Sequence, residues 1–299
     1  MVDVQDNVPA ASGFRRDAGR LVICPTPIGN LGDMPPRALE ALRTADAVCA
    51  EDTRVTGKLL AAFDIENRLE RLDENMMGRR CAGIVERVLS GQVIAYCSDA
   101  GMPGVSDPGQ RLVDAALDAG APVEVVPGPS AVPTAYVASG FACPRFLFAG
   151  FFPRKEGERA EALATYAHLD AVVLFYESPR RIASALSAVA QAVPLRRVAV
   201  CRELTKLHEE IVRGTAADIC AEFARRDAAG GVKGEIVLVI DAPGKEEAAL
   251  KRQAARGSAQ ERAQELMAQD GMSRKDIVAV LRREFSLSRN EAYDLVHGL

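Results

Sequence analysis

Seven short apolar runs, LVIC (21–24), VIAYC (93–97), VEVV (123–126), FLFAG (146–150), VVLFY (172–176), VAVC (198–201) and EIVLVI (235–240), alternate along the chain with stretches of helical periodicity. This β-then-α rhythm restricts the chain to an α/β architecture. The runs are continuously apolar rather than alternating, which suits strands covered by helices on both faces and predicts a mainly parallel sheet in each half. Between them, PPRALEALRTA, ENMMGRRCAGIVERVLS, GQRLVDAALDAG and SPRRIASALSAVAQAV place apolar residues three and four apart, as helices packed on a sheet require.

A chain of 299 residues is expected to divide into two such domains. The predicted division is a loose tail over 1–19, a first α/β domain over 20–142 and a second over 143–243, with the seam at "SGFACP". Beyond Ile240 the texture becomes polar, so 244–257 reads as a linker and 258–299 as an all-helical appendage. Ser258-x-x-Glu261, Ser273-x-x-Asp276 and Ser288-x-x-Glu291 each have the capping-box pattern, which predicts three short helices in a helix-turn-helix-like arrangement. From Lys251 onward there are nine Lys or Arg against seven Asp or Glu. Packing or dimerisation and RNA contact both remain open for this appendage.

Composition excludes several classes. A net charge of −4 rules out a broadly basic surface, so a nucleic-acid partner would be held by a local patch. The seven cysteines form no C-x-x-C pair and have no neighbouring histidines, which points to reduced thiols in the cytoplasm and to neither a metal site nor a disulfide framework. No stretch approaches a membrane span, so no membrane partner is expected. The first strand lacks the G-x-G-x-x-G that a dinucleotide would need, the segment around Gly57-Lys58 fails as a phosphate loop, and no G-x-S-x-G elbow is present.

Three Gly/Pro-rich loops follow three of the strands: "PTPIGNLGD" (25–33), "SDAGMPGVSDPG" (98–109) and "PGPSA" (127–131). Any one of them could be turn chemistry. Together, at the carboxyl ends of strands in one sheet, they suit a small molecule read at close range by backbone groups. Spacing alone goes no further than a nucleotide-like ligand in a crevice.

The motifs "PTPIGNLGDMPPRALEALRTADAVCAEDTRVTGKLL", "SDAGMPGVSDPG", "PGPSA", "GFFPRK", "FYESPRRI", "RELTKLHEE" and "KGEIVLVI", in that order, resemble the class III methyltransferases of the tetrapyrrole-methylase type. They are most similar to the bacterial branch that methylates the ribose 2′-hydroxyl of a cytidine in the decoding region of 16S rRNA. The resemblance runs from about Leu21 to Ile240, and the helical tail suits that branch. It implies S-adenosylmethionine as cofactor in the cleft between the two domains, 16S rRNA or the small ribosomal subunit as partner, and a homodimer. Residue by residue, it implies cofactor contacts from Ile28 and Gly29, from Asp99, Ala100, Gly101 and Gly104, from Ser130 and Ala131, and from Glu177 and Leu204. At the last two positions relatives often carry Met and Gly. A tetrapyrrole or other small-molecule methylase is a second reading, and a non-enzymatic nucleic-acid-binding protein a third.

A methyl donor of this kind is already activated, so positioning dominates and no metal is needed. A ribose hydroxyl is a weak nucleophile, and a base would assist it. Glu51, Asp52 and Asp107 are the candidates, with Glu177 behind them. Each also has a structural alternative: Asp52 and Asp107 as helix caps, Glu51 as partner of Arg54. Arg54 and Lys58, Arg154 and Lys155 with Arg159, Arg180 with Arg181, and Arg202 and Lys206 are expected around the cleft, where they would position RNA phosphates.

Overall fold

A computed structural model describes residues 18–268, 272–285 and 287–298. The expected tail over 1–19 lies almost wholly outside the described residues. The first sheet holds β1 (Arg20–Ile23), β2 (Ala47–Ala50), β3 (Leu69–Arg71), β4 (Val93–Cys97) and β5 (Val123–Val125) in the order β3-β2-β4-β1-β5, and every pairing is parallel. Around it run α1 (Pro36–Thr44), α2 (Thr53–Ala62), α3 (Glu74–Leu89) and α4 (Gln110–Asp118). Leu21, Ile23, Ile94 and Tyr96 pack on one face with Met77, Ile84 and Leu112. Val22, Val48 and Ala95 pack on the other with Ala38, Leu42 and Leu60. Burial on both faces explains the unbroken apolar runs.

The next helix, α5 (Ala131–Ser139), was expected within the first domain. It packs instead on the second sheet, where Val132 and Ala135 meet Val172, Leu174, Ala199 and Val237. The seam therefore falls one helix earlier than "SGFACP".

The second sheet contains β6 (Phe146–Phe151), β7 (Val172–Glu177), β8 (Arg197–Arg202), β9 (Glu210–Thr215) and β10 (Ile236–Ile240), ordered β6-β7-β10-β8-β9. Only β6 and β7 are parallel; the β7·β10, β10·β8 and β8·β9 pairings are antiparallel. The two-domain α/β architecture stands, but the expectation of a mainly parallel second sheet is corrected. Central strands buried on both faces are apolar in either direction, so the pattern cannot report direction here. Helices α6 (Glu156–Tyr166), α7 (Ile182–Ala192) and α8 (Ala216–Ala228) cover the face away from α5 through Leu163, Leu186, Val189, Ile219 and Phe223.

The expected linker is also corrected. A single helix, α9 (Lys245–Met267), begins three residues after Ala242 and runs through Ser258, so Ser258 caps nothing. The other two starts form as expected. Ser273 accepts from Asp276 N at 3.3 Å ahead of α10 (Arg274–Phe285), and Ser288 with Glu291 makes a full capping box on α11 (Arg289–His297). Ala259, Ala263, Leu266, Ile277, Leu281, Leu295 and Val296 form the small core that joins the three helices. Arg196, almost wholly buried, donates to both carboxylate oxygens of Glu247 at 2.8 and 2.5 Å and to Asp241 O at 3.1 Å, which fastens the base of α9 to the second domain. Among the described residues, no helix is long and apolar enough to cross a membrane.

Candidate active site between the two sheets

Strands β1, β4 and β5 are neighbours in the first sheet, so the loops that leave their carboxyl ends emerge side by side. The first two are stitched by a pair of backbone hydrogen bonds, Thr26 N to Gly101 O at 2.9 Å and Gly101 N to Thr26 O at 3.0 Å, and Thr26 Oγ1 donates to Ser98 O at 3.3 Å. Gly101 adopts φ +79°, and a Cβ there would lie 3.2 Å from Ile28 Cγ2. This glycine is needed for both its conformation and its closeness to Ile28.

A cavity of about 390 Å³ opens where these loops face the second sheet. Its volume lies within the range of small-molecule sites, roughly 300–1,000 Å³. Of the ten expected cofactor residues, Ile28, Ala100, Gly101, Ser130, Ala131, Glu177 and Leu204 line it. Gly29, Asp99 and Gly104 do not. Gly104, at φ +87°, shapes the loop behind the wall, and Asp99 faces the start of α2, where its Oδ1 accepts from Asp52 N at 3.1 Å.

Sequence reasoning missed Met102 and Val105 within the second loop, Phe151, Tyr176, Ser178 and Pro179 at the ends of β6 and β7, Cys201 on β8, and residues 234–237 leading into β10. The last group was within reach. An antiparallel β10 brings its amino end, not its carboxyl end, to the cleft, which a parallel reading of the sheet hides.

The carboxylates separate by environment. Asp52 caps α2 by accepting from Arg54 N at 2.9 Å, and its ion pair with the Arg54 guanidinium holds its carboxyl well below the usual range. Asp52 does not line the cavity, and its structural alternative is the one realised. Glu51 does not pair with Arg54; it accepts from Asp99 N at 3.4 Å, with its pKa raised by burial and then by Asp99. Asp107 is different again. It lines the cavity and does not cap α4, whose N-cap is Gly109. Burial, then Glu51 and Asp99, push its pKa up to about 6. Tyr176 beside it is pushed up to about 12 by burial, then by Asp107 and Glu235.

Glu177 has a side chain 1% exposed, and burial raises its pKa despite a 2.6 Å hydrogen bond from Ser178 N to Oε1. Oε2 lies 3.1 Å from Arg181 Nη2 without the alignment of a hydrogen bond, because Nη2 donates to Phe152 O and Pro153 O at 2.8 and 2.9 Å. Oε2 is thus held by the charge of Arg181 and buried without a hydrogen bond.

The expected RNA-contacting side chains fall into two groups. Arg54, Lys58, Arg154, Lys155 and Arg180 are exposed, although Arg54 is paired with Asp52 and Lys155 with Glu158. Arg202 and Lys206 are half-buried and spent on carboxylates: Arg202 on Glu210 at 3.0 Å, Lys206 on Glu203 at 2.8 Å and Glu235 at 2.9 Å.

Two α/β layers facing each other across a loop-lined cavity, with backbone and small residues on one side and an acid on the wall, define a methyltransferase fold of the class III kind. Residues 20–220 match the family described as Tetrapyrrole (Corrin/Porphyrin) Methylases, and the chain belongs to it. It is 45% identical over 226 residues to the ribosomal RNA small subunit methyltransferase I of Mycobacterium tuberculosis, covering 75% of this chain and 78% of that protein. To the protein of the same name from Bacillus subtilis it is 36% identical over 283 residues, 95% of this chain and 96% of the relative, the helical tail included. Among solved structures, the methyltransferase CobJ aligns with a TM-score of 0.56 at 18% identity over 75% of this chain and 95% of its own. Diphthine synthase aligns with a TM-score of 0.57 at 15% identity over 74% of this chain and 89% of its own. At these identities the two structures share the fold.

The methyl donor is S-adenosylmethionine. The residues present fit it: the cavity is of suitable size, Gly101 brings backbone close at the wall, and Asp107 on the wall would offer negative charge to a cationic donor.

Proposed function

We propose that this protein methylates the ribose 2′-hydroxyl of a cytidine in 16S rRNA within the small ribosomal subunit, as a homodimer in the cytoplasm. Support for the rRNA substrate comes from the relatives named as small-subunit rRNA methyltransferases, one of them aligned along nearly the whole chain. The observation that carries the 2′-hydroxyl reading is Asp107: a carboxylate on the cavity wall, not used as a cap, with a pKa near 6. A hydroxyl is a weak nucleophile when protonated, and a base so placed would assist it.

When bound, S-adenosylmethionine supplies a methyl group on a positively charged sulfur that departs as a neutral thioether. Ile28, Gly101, Ser130 and Ala131 would hold the donor from the first domain, and Glu177 and Leu204 from the second. Asp107, ionised at neutral pH, would orient the 2′-hydroxyl and take its proton. Arg54, Lys58, Arg154, Lys155 and Arg180 position the RNA backbone.

The test is mass spectrometry of 16S rRNA from a strain lacking the protein, followed by restoration in vitro with small subunits and S-adenosylmethionine. One methyl missing from a cytidine ribose, restored by the purified protein, is the expected result. An unaltered rRNA, or a methyl missing from a base, overturns the reading. Asp107→Asn should lower the methylation rate by roughly 10²–10⁴-fold while the protein still binds the donor.

A further inference from the structure

Lys206 was expected to meet RNA, but its surroundings describe another task. The loop after β8 carries two non-glycine residues in the left-handed region, Glu203 at φ +53° and Thr205 at φ +66°, on either side of the cavity residue Leu204. Such conformations persist only where neighbours impose them. Here the neighbours are specific. Glu203 N donates to Glu235 O at 2.9 Å, Glu235 N donates to Glu203 Oε1 at 2.9 Å, and Thr205 N donates to Glu209 Oε2 at 2.6 Å. The Lys206 ammonium closes this frame, reaching Glu203 at 2.8 Å and Glu235 at 2.9 Å.

The stem of the same side chain reaches the other domain. A Cβ on Gly29, in the loop after β1, would lie 2.4 Å from Lys206 Cγ and 2.9 Å from Thr205 Oγ1. Gly29 neighbours Ile28, which lines the cavity, and Gly234, whose Cβ would lie 2.4 Å from the Glu203 side chain, lines it from the second sheet. The ammonium, held by Glu203 and Glu235, anchors the far end of that stem.

We infer that Lys206 is a positioning residue for the donor cavity: its charge locks the strained Glu203–Thr205 turn in the second domain while its stem seats on Gly29 of the first, fixing the width of the cavity between Ile28 and Leu204. The inference rests on that cavity being the S-adenosylmethionine site. It gives Gly29 a role without a direct contact to the donor, and it removes Lys206 from the RNA-binding surface.

The test is calorimetric binding of S-adenosylmethionine to the full-length protein, with RNA affinity measured against salt in parallel. Lys206→Met should weaken donor binding by about tenfold or more, which is roughly 1.4 kcal/mol, with Lys206→Arg restoring part of the loss. Its salt slope for RNA should equal that of the wild type. Gly29→Ala, which alters no charge, should weaken donor binding in the same way. Unchanged donor affinity in Lys206→Met overturns the inference, as does a salt slope reduced by about 0.7–0.9, the value of one lost phosphate contact. Should Lys206→Met fail to fold, Gly29→Ala and Glu235→Gln decide, and wild-type affinity in both overturns it. A wild-type protein that does not bind the donor refutes the cavity assignment instead.

Discussion

Three acids that are interchangeable as letters become distinct once folded. Asp52 is held ionised by a guanidinium, Glu51 faces a backbone amide, and Asp107 stands on the cavity wall with two like charges behind it. Its carboxyl is raised because burial and neighbouring charge both disfavour the ionised form. The base is therefore competent above about pH 6 and protonated below it, so the methylation rate should fall as pH drops through about 6. In Asp107→Asn that step should vanish from a rate–pH profile recorded between pH 5 and 8. The stability effect has the opposite sense: a raised acid pKa makes the fold most stable below the unfolded value, and that contribution is lost as pH rises through about 6. Asp107→Asn should accordingly raise the melting temperature relative to wild type more at pH 7.5 than at pH 5. Sequence could nominate all three acids but not rank them, because rank depends on burial and on which neighbour supplies a cation.

At the scale of elements, the loops were the legible part. Glycines and prolines clustered after β1, β4 and β5 marked the side of the first sheet where the cavity lies, and the apolar runs placed the strands to within a residue or two. What stayed hidden has identifiable causes. β3 and β9 are short or edge strands with charged residues, LER and EIVRGT, so they lack the apolar signal of buried strands. α5 carries apolar residues on most sides, the largely exposed Val137 among them, so its sequence does not say which sheet owns it. Local chemistry does resolve α2, where Asp52 precedes the helix and caps it. Asp52→Ala should lower stability through loss of that cap, visible as a lower midpoint in urea unfolding.

At the scale of the molecule, the tail is joined to the body through a buried charge. Arg196 is 4% exposed, and Glu247 is the acid it meets. Removing one partner of such a pair leaves the other uncompensated, so Arg196→Met should destabilise the protein by on the order of 3 kcal/mol, and limited proteolysis should release a fragment cut near residue 244. On the second domain, Arg154 and Lys155 are exposed where β6 gives way to α6. Reversing both charges should weaken RNA binding and flatten its dependence on salt, while calorimetry shows donor affinity intact.

The uninterrupted course of α9 has a further consequence. From Glu247 it rises about 18 Å at 1.5 Å per residue before Ala259 enters the core of the terminal bundle, so the bundle rides on a shaft whose foot is bolted by Glu247. Adding a single residue to that shaft turns the bundle by about 100°, whereas about seven return it nearly to phase some 10 Å farther out. Reach and bearing are thereby set by a residue count, and an insertion in α9 would re-aim the bundle without altering any side chain in the cleft.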